Sequence, residues 1–146
     1  MIRLRVTLVD GDADRVEFNH GMWVCDTSGN LQKTGRLQYQ LPVQMFPAEL
    51  QVGKKWTTRF EPAGKALAYD LEMRIPAREM VRVPAGEFNA FRIEGRGWAA
   101  EGQSIHAIFW VVPGLNAHYV KREFTVRKQS GKFVRTERHE LLAFKQ

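Results

Sequence analysis

Four histidines, one cysteine and a scatter of serines and carboxylates are the residues of this 146-residue chain that could run chemistry. His20, His106, His118 and His139 contain no His-x-His or His-Glu-x-x-His pair, and there is no cysteine besides Cys25, so the spacing supplies no zinc-ligand element. A lone thiol forms no internal disulfide and leaves the redox compartment open; beside Trp23 and Val24, without a Cys-x-x-Cys context, Cys25 reads as a small core residue. Ser28, Ser104 and Ser130 sit near turns, and none occupies a Gly-x-Ser-x-Gly elbow. The Gly-Lys pairs at 53–54, 64–65 and 131–132 lack the spaced glycine and the following Ser or Thr of a phosphate loop. Glu61, Asp70, Glu72 and Glu79 are dispersed over alternating strand positions, where solvation is the default. No constellation for acid–base, nucleophilic or metal chemistry emerges, and no cofactor is expected. The residues favour a non-enzymatic module; the alternative is a hydrolase or transferase whose site is assembled from dispersed residues.

The elements that must position these side chains are strands. Period-two alternation recurs between clusters of Gly, Asp, Asn, Ser and Pro, and no stretch carries a 3.6-residue apolar stripe. Ile2, Leu4, Val6 and Leu8 are expected on one face of a first strand closed by the turn at 10–14, followed by short strands at 16–19, 22–26 and 36–41. A loop at 42–53 leads to a strand at 54–61 with Trp56, Thr58 and Phe60 on one face, then to a strand through Leu67, Tyr69, Leu71 and Met73. Residues 81–94 form a hairpin punctuated by Pro84 and Gly86. Pairing Val83 with Phe88 sets Glu79 opposite Arg92; the competing three-residue loop sets Glu79 opposite Phe91. Gly95 and Gly97 suggest a bulge or bend, and the strand 105–112 is apolar on both sides. A return across 113–116 would set His118 opposite Val111 and His106 opposite Glu123. Phe88, Phe109 and Trp110 are expected to be buried. With no repeat or linker, the whole chain, 1–146, reads as one all-β domain: a single antiparallel, strongly curved sheet or open barrel.

A net charge of +6 admits an anionic partner, and basic residues gather late, from Lys121 and Arg122 through Arg127, Lys128, Lys132, Arg135, Arg138 and Lys145. The longest apolar run, 107–112, is far shorter than the ~20 residues of a membrane helix. The alternation mostly puts arginines and aromatics on opposite faces, which disfavours nucleic acid. If the sheet encloses a cleft, Trp56, Tyr69 and Phe109 are its expected apolar lining, with Arg92 and Arg122 near the mouth for an anionic head group. The expected partners are a lipid or hydrophobic small molecule, or another protein.

Three stretches carry a likeness. Phe46-Pro47-Ala48-Glu49-Leu50-Gln51-Val52-Gly53-Lys54-Lys55-Trp56, the Val83-Pro84-Ala85-Gly86-Glu87-Phe88 hairpin with Ala90, Arg92 and Ile93, and Phe109-Trp110-Val111-Val112-Pro113-Gly114-Leu115 with Val120 to Glu123 and Glu140-Leu141-Leu142 resemble the strand motifs of bacterial cell-envelope proteins whose domains have no assigned function. The resemblance covers roughly the C-terminal two-thirds of the chain, and Asn116 stands where that family has a glycine. It implies an open barrel akin to lipoprotein-carrier folds and a periplasmic or outer-membrane-associated setting reached through a leader peptide; with Met1 as the natural start, a cytoplasmic setting is expected instead. It assigns no catalytic residue.

Overall fold

The computed structural model describes residues 3–39, 43–60, 68–99, 102–115 and 119–145. Those residues form strands and loops with no α-helix: β1 (Val6–Asp10), β2 (Arg15–Phe18), β3 (Trp23–Cys25), β4 (Leu31–Thr34), β5 (Leu37–Gln38), β6 (Lys55–Phe60), β7 (Tyr69–Val83), β8 (Gly86–Ala99), β9 (Ser104–Val111), β10 (Tyr119–Arg127) and β11 (Phe133–Glu140). The chain is all-β, but two antiparallel sheets replace the single one expected, one ordered β1-β2-β3-β4-β5 and the other β11-β10-β9-β8-β7-β6. Neither sheet closes or curls strongly. By internal packing the chain divides into two compact units, Met1–Ala48 with Arg59–Ala68, and Glu49–Thr58 with Tyr69–Gln146.

The first unit holds the five short strands. Val16, Phe18 and Cys25 are buried together, with Leu4 and Trp23 packed on them. Burial and the carboxylates of Asp26 and Asp14 push the Cys25 thiol up to about 12, so it stays protonated and unreactive at neutral pH. The expected face of Val6 and Leu8 is broken by a register shift between them: Val6 opposes Phe18 whereas Leu8 opposes Glu17, and both are exposed. Asn30, almost fully buried, holds the next segment in place: its Oδ1 accepts from the Phe46 amide at 2.7 Å, and its Nδ2 donates to the Phe46 carbonyl and to Asp26.

The second unit is the six-stranded meander. β7 runs unbroken through the Ile75-Pro76 step because the proline falls where the register with β8 shifts, between Arg74 and Ala77, and a residue without an N–H is tolerated. The β7–β8 turn is tighter than either expected register, since Val83 opposes Gly86 and Val81 opposes Phe88. Pro84 presets the first corner, and Gly86 takes a φ of 137°, which a side chain would resist. Glu79 therefore faces Ala90, and its contact with Arg92 is diagonal, at 4.0 Å. No bulge occurs at Gly95 or Gly97; both pair in unbroken register, and a Cβ on Gly97 would lie 1.7 Å from the Asp70 carbonyl oxygen. Gly97 permits close backbone approach, and Gly95 makes room for the Met73 side chain. His106 opposes Thr125 rather than Glu123, because β10 shifts register between Tyr119 and Lys121. Ile2, Leu41, the 62–65 turn, Leu67, Asn116 and His118 lie outside the described residues, as does the side chain of Phe60. No helix among the described residues is long and apolar enough to cross a membrane.

Candidate functional site

In an antiparallel sheet directly opposed residues share a face, so the registers of β8, β9 and β10 write out side-chain rows. One face carries Arg92-Trp110-Lys121, Glu94-Ile108-Glu123, Arg96-His106-Thr125 and Trp98-Ser104-Arg127. The other carries Ile93-Phe109-Arg122, Gly95-Ala107-Phe124 and Gly97-Ile105-Val126. The first, more polar face divides into three zones along the strands.

At the hairpin end an apolar cluster is covered by returning chain. Val81, Val83, Ala90, Ile108, Trp110 and Val120 are buried together, with Phe88, Leu115 and Leu141 packed against them. The C-terminal residues close this zone: the Ala85 amide donates to the Leu141 carbonyl at 3.0 Å, and the Phe144 ring lies 6.0 Å from Phe88. Trp110 is buried as expected, while Phe88 is only half-buried.

The middle zone is a closed set of charges. Glu94, 6% exposed, accepts from Arg74 Nε and Nη2 at 2.9 and 2.6 Å and pairs with Arg92 Nη2 at 2.8 Å. Burial pushes its carboxyl up, but the Arg74 hydrogen bonds and the charges of Arg92 and Arg74 outweigh burial and hold it below the usual range. Glu79 Oε1 accepts from Trp110 Nε1 at 2.8 Å, and the Lys121 ammonium sits 4.6 Å from the Trp110 ring centre. Burial, reinforced by Arg96, holds the His106 imidazole below its ordinary value, with the nearby Glu94 charge opposing. Its Nε2 is buried without a partner, so the neutral ring is the form this environment accepts. The carboxylates of Glu79 and Glu94 are thus held by Trp110, Arg74 and Arg92, while Arg92 Nε, like His106 Nε2, is buried without a partner.

The far zone is different. Trp98 is 63% exposed and Phe133 59% exposed, and the Arg127 guanidinium lies 4.1 Å from the Phe133 ring centre. Trp98, Ser104 and Arg127 line a shallow open cleft of about 350 Å³ with Gly102, Lys128, Gln129 and Gly131. The 128–132 turn builds its floor: the Gly131 amide donates to the Lys128 carbonyl at 2.8 Å, and Gly131, at φ 80°, leaves open space where a Cβ would stand. Among the described residues neither Arg127 nor Lys128 joins an ion pair, whereas Arg92 and Arg122 both do. The cleft thus offers a flat apolar surface beside two available cations.

The residues expected to form a ligand site do not converge. Arg92 lies on the polar face, held by Glu94. Phe109, 4% exposed, and Arg122 lie on the opposite face in the adjacent row, where Arg122 pairs with Glu137 at 3.6 Å and sits over the Phe109 and Phe124 rings. Tyr69 shares that face, opposite Ala99, and Trp56 is half-buried on β6. On the same side Tyr119 Oη and His139 Nδ1 form a hydrogen-bonded pair at 3.2 Å. The residues missed were Trp98, Ser104, Arg127 and Lys128. A signal existed: in β8, Trp98 keeps the parity of Arg92, Glu94 and Arg96, so it belongs to the polar row.

Among the described residues no group of three or more His, Cys, Asp or Glu side chains is arranged to hold a metal ion. Compared with known proteins, the chain matches no family model, no curated protein and no solved structure.

Proposed function

We propose that this chain is a non-enzymatic binding module whose ligand is an amphipathic anion, an apolar body ending in a carboxylate or a phosphate-type head. The observation that carries this reading is the Trp98 cleft, an exposed indole beside Arg127 and Lys128, with Ser104 and Gln129 as hydrogen-bonding side chains. An indole presents a large apolar face with little rotamer entropy to lose, and guanidinium and ammonium groups that join no ion pair among the described residues can bind an anion without first breaking such a pair. The likeness of the three strand motifs to cell-envelope proteins supports a periplasmic or outer-membrane-associated setting, where lipid-derived anions abound.

Laurate and its uncharged methyl ester separate the two halves of the reading. Laurate is expected to quench tryptophan fluorescence saturably in the micromolar range, the ester much more weakly, and Arg127→Gln/Lys128→Gln is expected to weaken laurate about tenfold or more, as losing one or two charge-assisted hydrogen bonds requires. Equal binding of acid and ester, or no saturable change with either, would reject it.

A further inference from the structure

We propose that β11 is a self-complementary edge through which two copies of this chain pair antiparallel about a two-fold axis at Thr136. β11 is the outermost strand of its sheet, and Phe133 to Thr136 are exposed. An edge strand presents unpaired backbone groups, and a second identical edge can satisfy them.

The backbone phase fixes which residues can do so. The Leu141 amide donates to the Val120 carbonyl at 2.8 Å, and β11 pairs with β10 in continuous register from Glu140 to Arg135. Because narrow and wide pairs alternate, His139, Glu137 and Arg135 turn their backbone groups inward to β10, while Arg138 and Thr136 turn theirs outward. A two-fold axis normal to the sheet keeps each face continuous, so it must pass through a residue paired with itself. Centring on Arg135, Glu137 or Arg138 sets like charges opposite each other, which is destabilising. Centring on His139 runs the second copy into Leu141 to Phe144, which leave the strand to cover Phe88.

Thr136 is free of both faults. Thr136 then exchanges both backbone bonds with its counterpart, Arg135 stands opposite Glu137 of the second copy twice over, and Val134 stands opposite Arg138, whose aliphatic stem can cover it. Arg135 and Glu137 already touch within one chain at 3.0 Å, so pairing completes a four-membered ring of alternating charge. The register shift between Val126 and Arg127 leaves Val134 without a partner on β10 and ends the regular edge there. The overlap is therefore short, and the dimer it makes is weak and concentration-dependent.

Sedimentation of the full chain across the micromolar to millimolar range tests this. The wild type is expected to shift from monomer to dimer with concentration. Arg135→Glu and Glu137→Arg, each placing like charges opposite, are expected to weaken dimerisation about tenfold or more, and the double variant R135E/E137R to restore it, because the swap recreates both pairs. Thr136→Pro, which removes only an outward N–H, is expected to leave a folded monomer, as circular dichroism would verify. A wild type monomeric throughout overturns the proposal. So does a double variant no better than the singles, or a Thr136→Pro protein that is folded and still dimeric.

Discussion

The two ends of one sheet face carry similar residues to opposite effect. At the hairpin end Trp110 is buried, its indole N–H donates to Glu79, and Lys121 stacks on its ring. At the far end Trp98, on the same face, is 63% exposed, and Arg127 and Lys128 beside it are in no ion pair among the described residues. Strand alternation alone treats the two tryptophans alike. What separates them is the chain that returns: Leu115, Leu141 and Phe144 lie over the hairpin end, while among the described residues the far end is bordered by Gly102 and the short 128–132 turn. An aromatic beside cations is core where chain covers it and stays exposed where little chain does, and that exposed end is the surface proposed to bind.

The largest effect expected from breaking this contrast is on stability. Trp110→Ala should lower the unfolding free energy by about 3–5 kcal/mol, through the cavity it leaves and the unpartnered Glu79 carboxylate, as read from the chemical denaturation midpoint. Glu94→Gln should destabilise by about 1.5–3 kcal/mol, since Arg74 and Arg92 lose a charged acceptor. Phe88→Ala, at a half-buried site, should fall at about 1–2 kcal/mol, below the range for a fully buried phenylalanine. Trp98→Ala should change stability by less than about 0.5 kcal/mol, since exposed positions away from packed features rarely do more, while abolishing laurate binding. A Trp98→Ala protein as destabilised as Trp110→Ala would erase the distinction between the two ends.

The middle zone predicts a two-step loss of stability in acid. The folded state holds His106 below its ordinary 6.5, so the unfolded chain takes up that proton more readily; the contribution is complete above pH 6.5 and is lost as pH falls through the folded value. Glu94 is held below its ordinary 4.5, and its contribution is present above pH 4.5 and lost as pH falls through the depressed value. Denaturation midpoints measured against pH should therefore fall in two windows. His106→Gln should flatten the upper one and Glu94→Gln the lower one.

The all-β class, most strands and the 128–132 turn were legible because alternation and turn residues are local signals, as at Lys55 to Arg59, where exposed and half-buried residues alternate. What failed was register. Pro84-Ala85 closes a two-residue turn instead of the longer loops expected, and the shifts at Val6/Leu8 and Tyr119/Lys121 each insert a residue that no local preference announces, whereas Pro76 marks the one between Arg74 and Ala77. Choosing each strand's more apolar side pointed to Phe109, which is buried, and to the half-buried Tyr69, and passed over Trp98, an aromatic in a row of charges. Coverage by chain distant in sequence, such as Phe144 over Phe88, leaves no local trace.

The central claim is that the far end of this face, and not the hairpin end, takes the ligand. The most direct measurement follows the tryptophan indole N–H resonances in a laurate titration of the ¹⁵N-labelled protein, assigned through Trp98→Phe and Trp110→Phe. The account predicts that the Trp98 resonance moves saturably while that of Trp110, hydrogen-bonded to Glu79 beneath covering chain, stays in place. A stationary Trp98 resonance, or a saturable shift carried by Trp110 or Trp56 instead, would contradict it.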